Sequence, residues 1–420
     1  MKFLLIFFLI PILCFGDELS LADLIDIALK NNPETQRVWA NVKRAQATVG
    51  VAKSSEYPHL SGQANVTHGR EVKFPNGPNT IFTNYGGELS LNYLLFDFGE
   101  RSATIRATKD ALQSAKWWAD FSIQKIMSQV ATHYYEYLSA NVVLETRKSS
   151  LQDAESIFDA AKELLKAGLR SENDHVTAKA TVSQIRMELA QQNAASSIAY
   201  GKLLMAMGMP MEMEMQVDTH PEGMQNPLFK EGISELIAIA EGQRADLMAK
   251  QSMLAEMNER VDRAKRAPLP KLRALGQAGW LQYDKHRGSG YNYSAGLSLN
   301  FPIFKGFEYT YQKRQALADV EMTAAEIKEL QNEIALEVLT YSEMAKAAHE
   351  ALQYSDDSYA DAMKSYENTL ESYKAGLINI FDMLQSQRFL ADARNRNALA
   401  RTEWLVALSQ LAFATGSLSK

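Results

Sequence analysis

Cysteine is almost absent from the 420 residues, the one copy being Cys14. Without a second thiol, neither a disulfide framework nor paired-thiol chemistry is available. Histidine is sparse, and its seven copies are scattered with no pair at metal-ligand spacing. There is no Gly-x-Ser-x-Gly elbow, phosphate-binding loop or dinucleotide-binding glycine pattern, so no enzyme and no cofactor is expected. Beyond the first residues no apolar run reaches the ~18 that a membrane-crossing helix needs. Positive charge is not in excess either. The 44 basic and 50 acidic residues leave a net charge of −6, which argues against nucleic acid as a partner.

The N-terminus, "MKFLLIFFLIPILCFGDE", has the pattern of a secretory signal peptide. Lys2 is followed by the apolar Phe3 to Leu13, and Cys14 and Gly16 are small residues at −3 and −1. Cleavage after Gly16 (segment 1–16) is expected, which leaves no cysteine and 43 basic against 50 acidic residues. The alternative, acylation of Cys14, conflicts with the bulky Leu13 just before it.

Glycine and proline are missing from two very long stretches, Glu100 to Ala167 and Phe307 to Ala375. Both stretches end in Lys-Ala-Gly-Leu, at Lys166 and Lys374, 208 residues apart. An aspartate follows each glycine by six residues: Asp174 after Gly168, Asp382 after Gly376. The same offset aligns "ELSLNYLLF" (88–96) with "GLSLNFPIF" (296–304), and Gly208 with Gly416. Upstream the offset is 212, aligning Pro58 with Pro270, so four extra residues lie within "GREVKFPNGPNT". One unit was duplicated and one loop lengthened.

Two repeats are therefore expected. The first, 17–208, holds a helix (33–54), a β-hairpin at 59–96, a long helix at 100–167 and a helix at 169–207. The second, 233–420, repeats the order with a helix (245–266), a hairpin at 271–304, a long helix at 307–375 and a helix at 378–415. Between them 209–232, with three prolines and two glycines, is expected as a linker. A helix of 68 residues spans roughly 100 Å and needs a partner helix. Val320, Ala324, Ile327, Leu330, Ile334 and Val338 follow spacings of three and four, and Tyr359, Tyr366 and Tyr373 continue at sevens. This pattern predicts a coiled-coil seam, with Gly168 and Gly376 supplying the positive φ that ends each long helix.

The hairpin segments differ in kind. "YNYSAGLSLNF" alternates strictly, with Tyr291, Tyr293, Ala295, Leu297, Leu299 and Phe301 on one face and small polar residues on the other. Strands of about ten residues with one apolar face fit a transmembrane barrel. Four strands cannot close one, and an open edge is not tolerated in lipid. Copies must then pool strands, eight from two or twelve from three. The small polar inward face favours twelve.

Tandem repeat, "LADLIDIALKNNPE", paired strands, long helices and both Gly-Leu turns followed by Asp together resemble the TolC-type outer-membrane efflux proteins. The likeness covers the whole chain after the signal. It implies a mostly α protein with a transmembrane β-barrel, in which a homotrimer forms a twelve-stranded barrel continued by a long twelve-helix barrel. An equatorial domain would be built from 209–232 and the C-terminal end. The implied location is the bacterial outer membrane, extending into the periplasm. The implied partners are outer-membrane lipid, a periplasmic adaptor protein, and an inner-membrane pump or ABC exporter. The implied function is a passive duct for tripartite efflux of small molecules or for type I secretion of proteins.

The resemblance also assigns site residues. Asp382 matches the first aspartate of a ring at the periplasmic aperture, while Gln385 occupies the place of the second. Asp174 and Tyr373 match two positions of the lock that closes the aperture. The family's arginine is Ile378 here, and Arg170 in the first repeat is the candidate to replace it. Gly168, Leu169, Gly376 and Leu377 match adaptor-docking turns. A simpler reading makes Asp174 and Asp382 helix caps. Met205, Met207, Met209, Met211, Met213 and Met215 alternate at 205–215, a pattern open to soft-metal binding but expected as flexible packing. The competing function is a periplasmic coiled-coil scaffold with a soluble sheet.

Overall fold

The computed structural model describes residues 18–71, 80–219, 231–283 and 288–418. The signal segment with Cys14, most of the lengthened loop and residues 220–230 of the linker lie outside the described residues. The element order is α1 (Leu21–Asn31), α2 (Pro33–Ser54), β1 (His59–Glu71), β2 (Thr80–Phe96), α3 (Glu100–Lys166) and α4 (Glu172–Met207). There follow α5 (Ile233–Gln243), α6 (Ala245–Arg266), β3 (Lys271–Tyr283), β4 (Ser289–Asn300), α7 (Glu308–Lys374) and α8 (Ile380–Ala414). The protein is mostly helical. Among the described residues no helix is long and apolar enough to cross a membrane.

Contacts divide the chain into two compact units that cut across the repeats. One comprises Met1–Val38, Asp120–Ala245 and Gln331–Lys420, and the other Trp39–Ala119 and Asp246–Leu330. Each repeat gives part of itself to each unit, because the equivalent portions of the two repeats pack on one another. The short helices α1 and α5 were not distinguished in the sequence. A capping box starts α1, where the Asp23 backbone N–H donates to Ser20 and the Ser20 backbone N–H donates to the Asp23 carboxylate.

The unit containing β1–β4 holds one antiparallel sheet of order β1-β2-β3-β4. β1 pairs with β2 from His59↔Asn92 to Glu71↔Thr80, and β3 with β4 from Lys271↔Asn300 to Gln282↔Ser289. Between the hairpins β2 pairs with β3, joining the two repeats. The hairpin expected to reach Phe304 ends at Asn300. Pro302, two residues on, has no N–H to give a ladder. The apolar face is solvent-facing: Tyr291, Tyr293, Leu297 and Leu299 on β4 are all exposed, as are Tyr85 and Leu89 on β2. At the end of β2 the buried Asp97 accepts from the Gly99 and Arg101 backbone N–H groups at 3.1 and 2.6 Å, capping α3. Lys271 of β3 reaches Glu100 at 2.5 Å, and Arg106 of α3 pairs with Glu259 of α6 at 2.8 Å.

The other unit holds two apolar clusters. Leu24 and Ala28 of α1 pack with Val130, Tyr134 and Tyr135 of α3 and Leu203, Leu204 and Met207 of α4. The segment after α4 is tied in by a parallel bridge, in which the Leu19 N–H donates to Gln216 and the Asp218 N–H to Leu19. A second cluster joins Ile157 and Ala161 of α3 to Ala362, Tyr366 and Tyr373 of α7 and to Met383 and Leu390 of α8. The seam residues Ile334, Val338, Tyr366 and Tyr373 are buried, and the others named at three–four spacing are at least partly so.

Gly208 and Gly416 end α4 and its repeat counterpart α8 in the same way. Each has positive φ (71° and 73°), and in each turn an N–H five residues on reaches back, Met209 to Leu204 and Ser417 to Ala412. A Cβ on Gly208 would lie 2.8 Å from Asn32 Cα at the end of α1, and one on Gly416 3.1 Å from Gln243 at the end of α5. These glycines are needed for space as well as for φ. Gly168→Ala, with positive φ but open surroundings, is expected to cost about 1 kcal/mol. Gly208→Ala adds an overpacking penalty of roughly 1–3 kcal/mol. Thermal unfolding of the purified variants should rank Gly208→Ala well below Gly168→Ala.

Candidate functional site

The residues singled out in the sequence meet at two helix-hairpin turns, both within one compact unit. Gly168 (φ 69°) and Gly376 (φ 76°) stop α3 and α7. The Leu169 N–H donates to Leu164 and the Leu377 N–H to Ser372, both at 2.9 Å, closing the same turn twice. The leucines project outward, Leu169 at 67% and Leu377 at 78% exposure. Each turn thus presents one leucine to solvent.

The helices leaving these turns are capped, but not by the aspartates. The Ser171 hydroxyl accepts from the Asp174 backbone N–H and donates to its carboxylate at 3.0 Å. Asn379 accepts from the Asp382 N–H at 3.0 Å. The reading of Asp174 and Asp382 as caps is therefore corrected: Ser171 and Asn379 are the N-caps, and each aspartate is the third residue of the first turn. Serine or asparagine three residues ahead of an acid was the overlooked signal. Relieved of capping, Asp382 keeps its carboxylate exposed with no partner among the described residues, and Gln385 lies exposed one turn on. Both aspartates sit where a helix N-terminus favours negative charge.

Arg170 bridges the turns. Its guanidinium donates to the carbonyl of Gly376 at 3.3 Å and to that of Ile378, and its centre stands 5.5 Å from the Tyr373 ring centroid. Thus an arginine in the first repeat grips the turn of the second, where the equivalent position is the uncharged Ile378. Tyr373 is fully buried, and among the described residues neither its hydroxyl nor Arg170 Nε has a hydrogen-bond partner. Buried polar atoms of this kind are unusual. Beside them His175 stacks on Phe158 at 4.9 Å between centroids. Burial raises the pKa of the Tyr373 phenol, the negative charge of Asp174 adds to the rise, and Arg170 opposes it. Arg170, Asp174 and Tyr373 thus form one electrostatic cluster, while Asp382 and Gln385 stand on the exposed face of α8.

The methionine run does not gather. Met207 is buried, Met209, Met213 and Met215 pack against the core around α1, and Met205 and Met211 are exposed. Packing accounts for four of the six, Met207, Met209, Met213 and Met215. Among the described residues no group of His, Cys, Asp and Glu could hold a metal ion.

A raised tyrosine pKa contributes stability that is complete below the unfolded value near 10 and is lost as pH rises through the folded value. Tyr135 behaves likewise, pushed up to about 12 by burial. Stability followed by circular dichroism should hold through neutral pH and fall above about pH 10. The fall should be smaller in Tyr373→Phe, which lacks one such proton.

Comparison with known proteins extends along nearly the whole chain. The family described as "Outer membrane efflux protein" matches residues 24–209 and 236–417, one span in each repeat. Protein CyaE of Bordetella pertussis is 27% identical over 424 residues, covering 96% of this chain and 85% of the relative. The proteases secretion protein PrtF of Dickeya chrysanthemi is 20% identical, covering 96% and 90%. The crystal structure of the CmeC outer membrane channel of Campylobacter jejuni superposes with a TM-score of 0.83 at 18% identity, covering 94% of this chain and 85% of that one. That likeness is one of fold.

Proposed function

The chain belongs to the outer membrane efflux protein family, and from that premise we propose that it forms the outer-membrane duct of an export system, open to small molecules or proteins. Three copies would pool their sheets into a twelve-stranded barrel, continued by a barrel of the long helices of both repeats. The observation that carries this reading is the four-stranded sheet. Among the described residues its outer strands β1 and β4 each have a neighbour on one side only, and its tyrosine- and leucine-rich face is exposed. In lipid such edges need partners of the same kind, and a symmetric ring of copies supplies them. A soluble scaffold would leave that apolar face in water, which disfavours the competing reading. Protein extracted from outer membranes should run as a heat-resistant trimer in detergent and conduct in planar bilayers. A monomer that stays soluble without detergent would overturn the proposal.

The helix-hairpin turns fit the mouth through which cargo enters. Leu169 and Leu377 beside Gly168 and Gly376 would meet the periplasmic adaptor, which in turn joins an inner-membrane pump or ABC exporter. Nothing at the turns reads a particular cargo, so the pump selects it. The relative named for protease secretion supports protein cargo, and the family description supports efflux. Asp382 and Gln385 would line the aperture, so that three carboxylates near one axis attract cations and admit multivalent blockers. Asp174, Tyr373 and Arg170 would hold the turns together in the closed state. Arg170→Ala should raise bilayer conductance several-fold with the trimer intact, and Asp382→Asn should weaken multivalent-cation block. Conductance unchanged by Arg170→Ala would remove that residue from the lock.

A further inference from the structure

Within the unit that holds the helix-hairpin turns, α8 lies between two long helices. Arg394 pairs with Asp153 of α3 at 3.2 Å, and Asn397 donates to Asp356 of α7 at 2.5 Å. From Asn395 to Gln410, over about four turns, these three helices border a cavity of about 940 Å³, with Gln192 of α4 at its edge. Its walls are apolar and mostly small: Ala140 and Val143 of α3, Ala348 and Ala351 of α7, Leu399 and Val406 of α8. Such a volume and lining suit a drug-sized organic molecule, whose sites run to roughly 300–1,000 Å³ and are mainly apolar. Neither the turns nor the sheet borders the cavity.

The polar groups around it are unequally engaged. Arg147 is committed to Glu188 at 3.1 Å, and Glu136 to His133 and Lys202 at 3.0 and 3.7 Å. Gln192 donates to the Ala140 carbonyl at 2.9 Å. Two acceptors remain. The Glu403 carboxylate has no partner among the described residues, and the buried Asn395 Oδ1 receives no hydrogen bond there. A buried acceptor is normally satisfied. Both acceptors stand on α8, two helical turns or about 12 Å apart, with Leu399 midway. Their repeat counterparts on α4 are Met187 and Ala195, so neither acceptor recurs in the first repeat.

We infer that this cavity binds an elongated amphipathic cation with N–H donors at both ends. One end donates to Glu403, the apolar body lies along Leu399 between the alanine walls, and the other end donates to Asn395. A cation is selected because the bordering guanidinium is already paired while a carboxylate is free. The packing of α3 fixes the side on which the cavity opens. Tyr134 packs with α1, whereas Val143, about two and a half turns on, points the opposite way and lines the cavity. In the proposed duct α1 and the segment bridged to it would girdle the helices outside, so the cavity opens on the bore. That placement rests on the duct reading, while the cavity itself is complete within one chain.

The test uses the full chain in detergent and in planar bilayers. The probes are a stilbene carrying an amidine at each end and the same stilbene carrying a carboxylate at each end. Fluorescence titration should show saturable binding of the amidine, at least tenfold tighter than of the carboxylate. Glu403→Gln should weaken it at least fivefold. Ala351→Trp, which fills the cavity, should abolish it, with circular dichroism showing that both variants fold. In bilayers the amidine should lower the conductance of the unaltered channel at least twice as much as that of Ala351→Trp. Equal binding of the two probes, or full binding by Ala351→Trp, would overturn the site, and a channel that still conducts would keep the duct. The expected binding by a chain that never conducts would remove the duct, and with it the placement on the bore.

Discussion

Every backbone N–H and C=O of a strand in hydrocarbon has to find a protein partner, because no water is there to take its place. The chain carries two hairpins, and the structure joins them into a single sheet through β2 and β3. That pairing satisfies the inner edges and leaves β1 and β4 at the ends. Most of the molecule's other features follow from this incompleteness. An exposed apolar face on β4 is destabilising in water and suited to lipid, and membership of an outer-membrane family agrees with it.

The helices show how a duplication is used and where it has diverged. Both repeats end their long helices with the same glycine turn, and both end their return helices on a glycine pressed against the end of a short helix. Those positions take positive φ, a backbone geometry that favours glycine. Other paired positions have drifted. Asp97 caps α3, but the equivalent residue before α7 is Lys305. Two consecutive residues take positive φ ahead of each long helix, and the repeats divide the task differently: Phe98-Gly99 in the first, Gly306-Phe307 in the second. Arg170 faces Ile378 in the same way. The duplicated halves keep one fold while giving the two turns unlike chemistry, so a contact made by one repeat is not automatically made by the other.

Much of this was legible in the residues. Breaker-free stretches fixed the long helices, Lys-Ala-Gly-Leu fixed the turns, and strict alternation fixed β4, because each depends on local periodicity and on the steric freedom of glycine. The 208-residue offset fixed the duplication. Less was legible at the turns. Asp174 and Asp382 were open to being read as caps because an acid near a helix start suits both roles. Only the backbone geometry showed Ser171 and Asn379 accepting the N–H bonds.

What the sequence determined by itself is therefore the order of the long helices and the strands, though not the short helices α1 and α5, since that order follows from interactions among residues close along the chain. The tertiary structure alone decided which elements meet: β2 with β3, α3 with α8, and Arg170 with the carbonyls of Gly376 and Ile378, about 208 residues away. It also decided that equivalent residues of the two repeats are buried in one case and exposed in the other, as with Leu384 of α8 and Val176 of α4. Such choices depend on packing between distant segments, which periodicity along the chain does not specify.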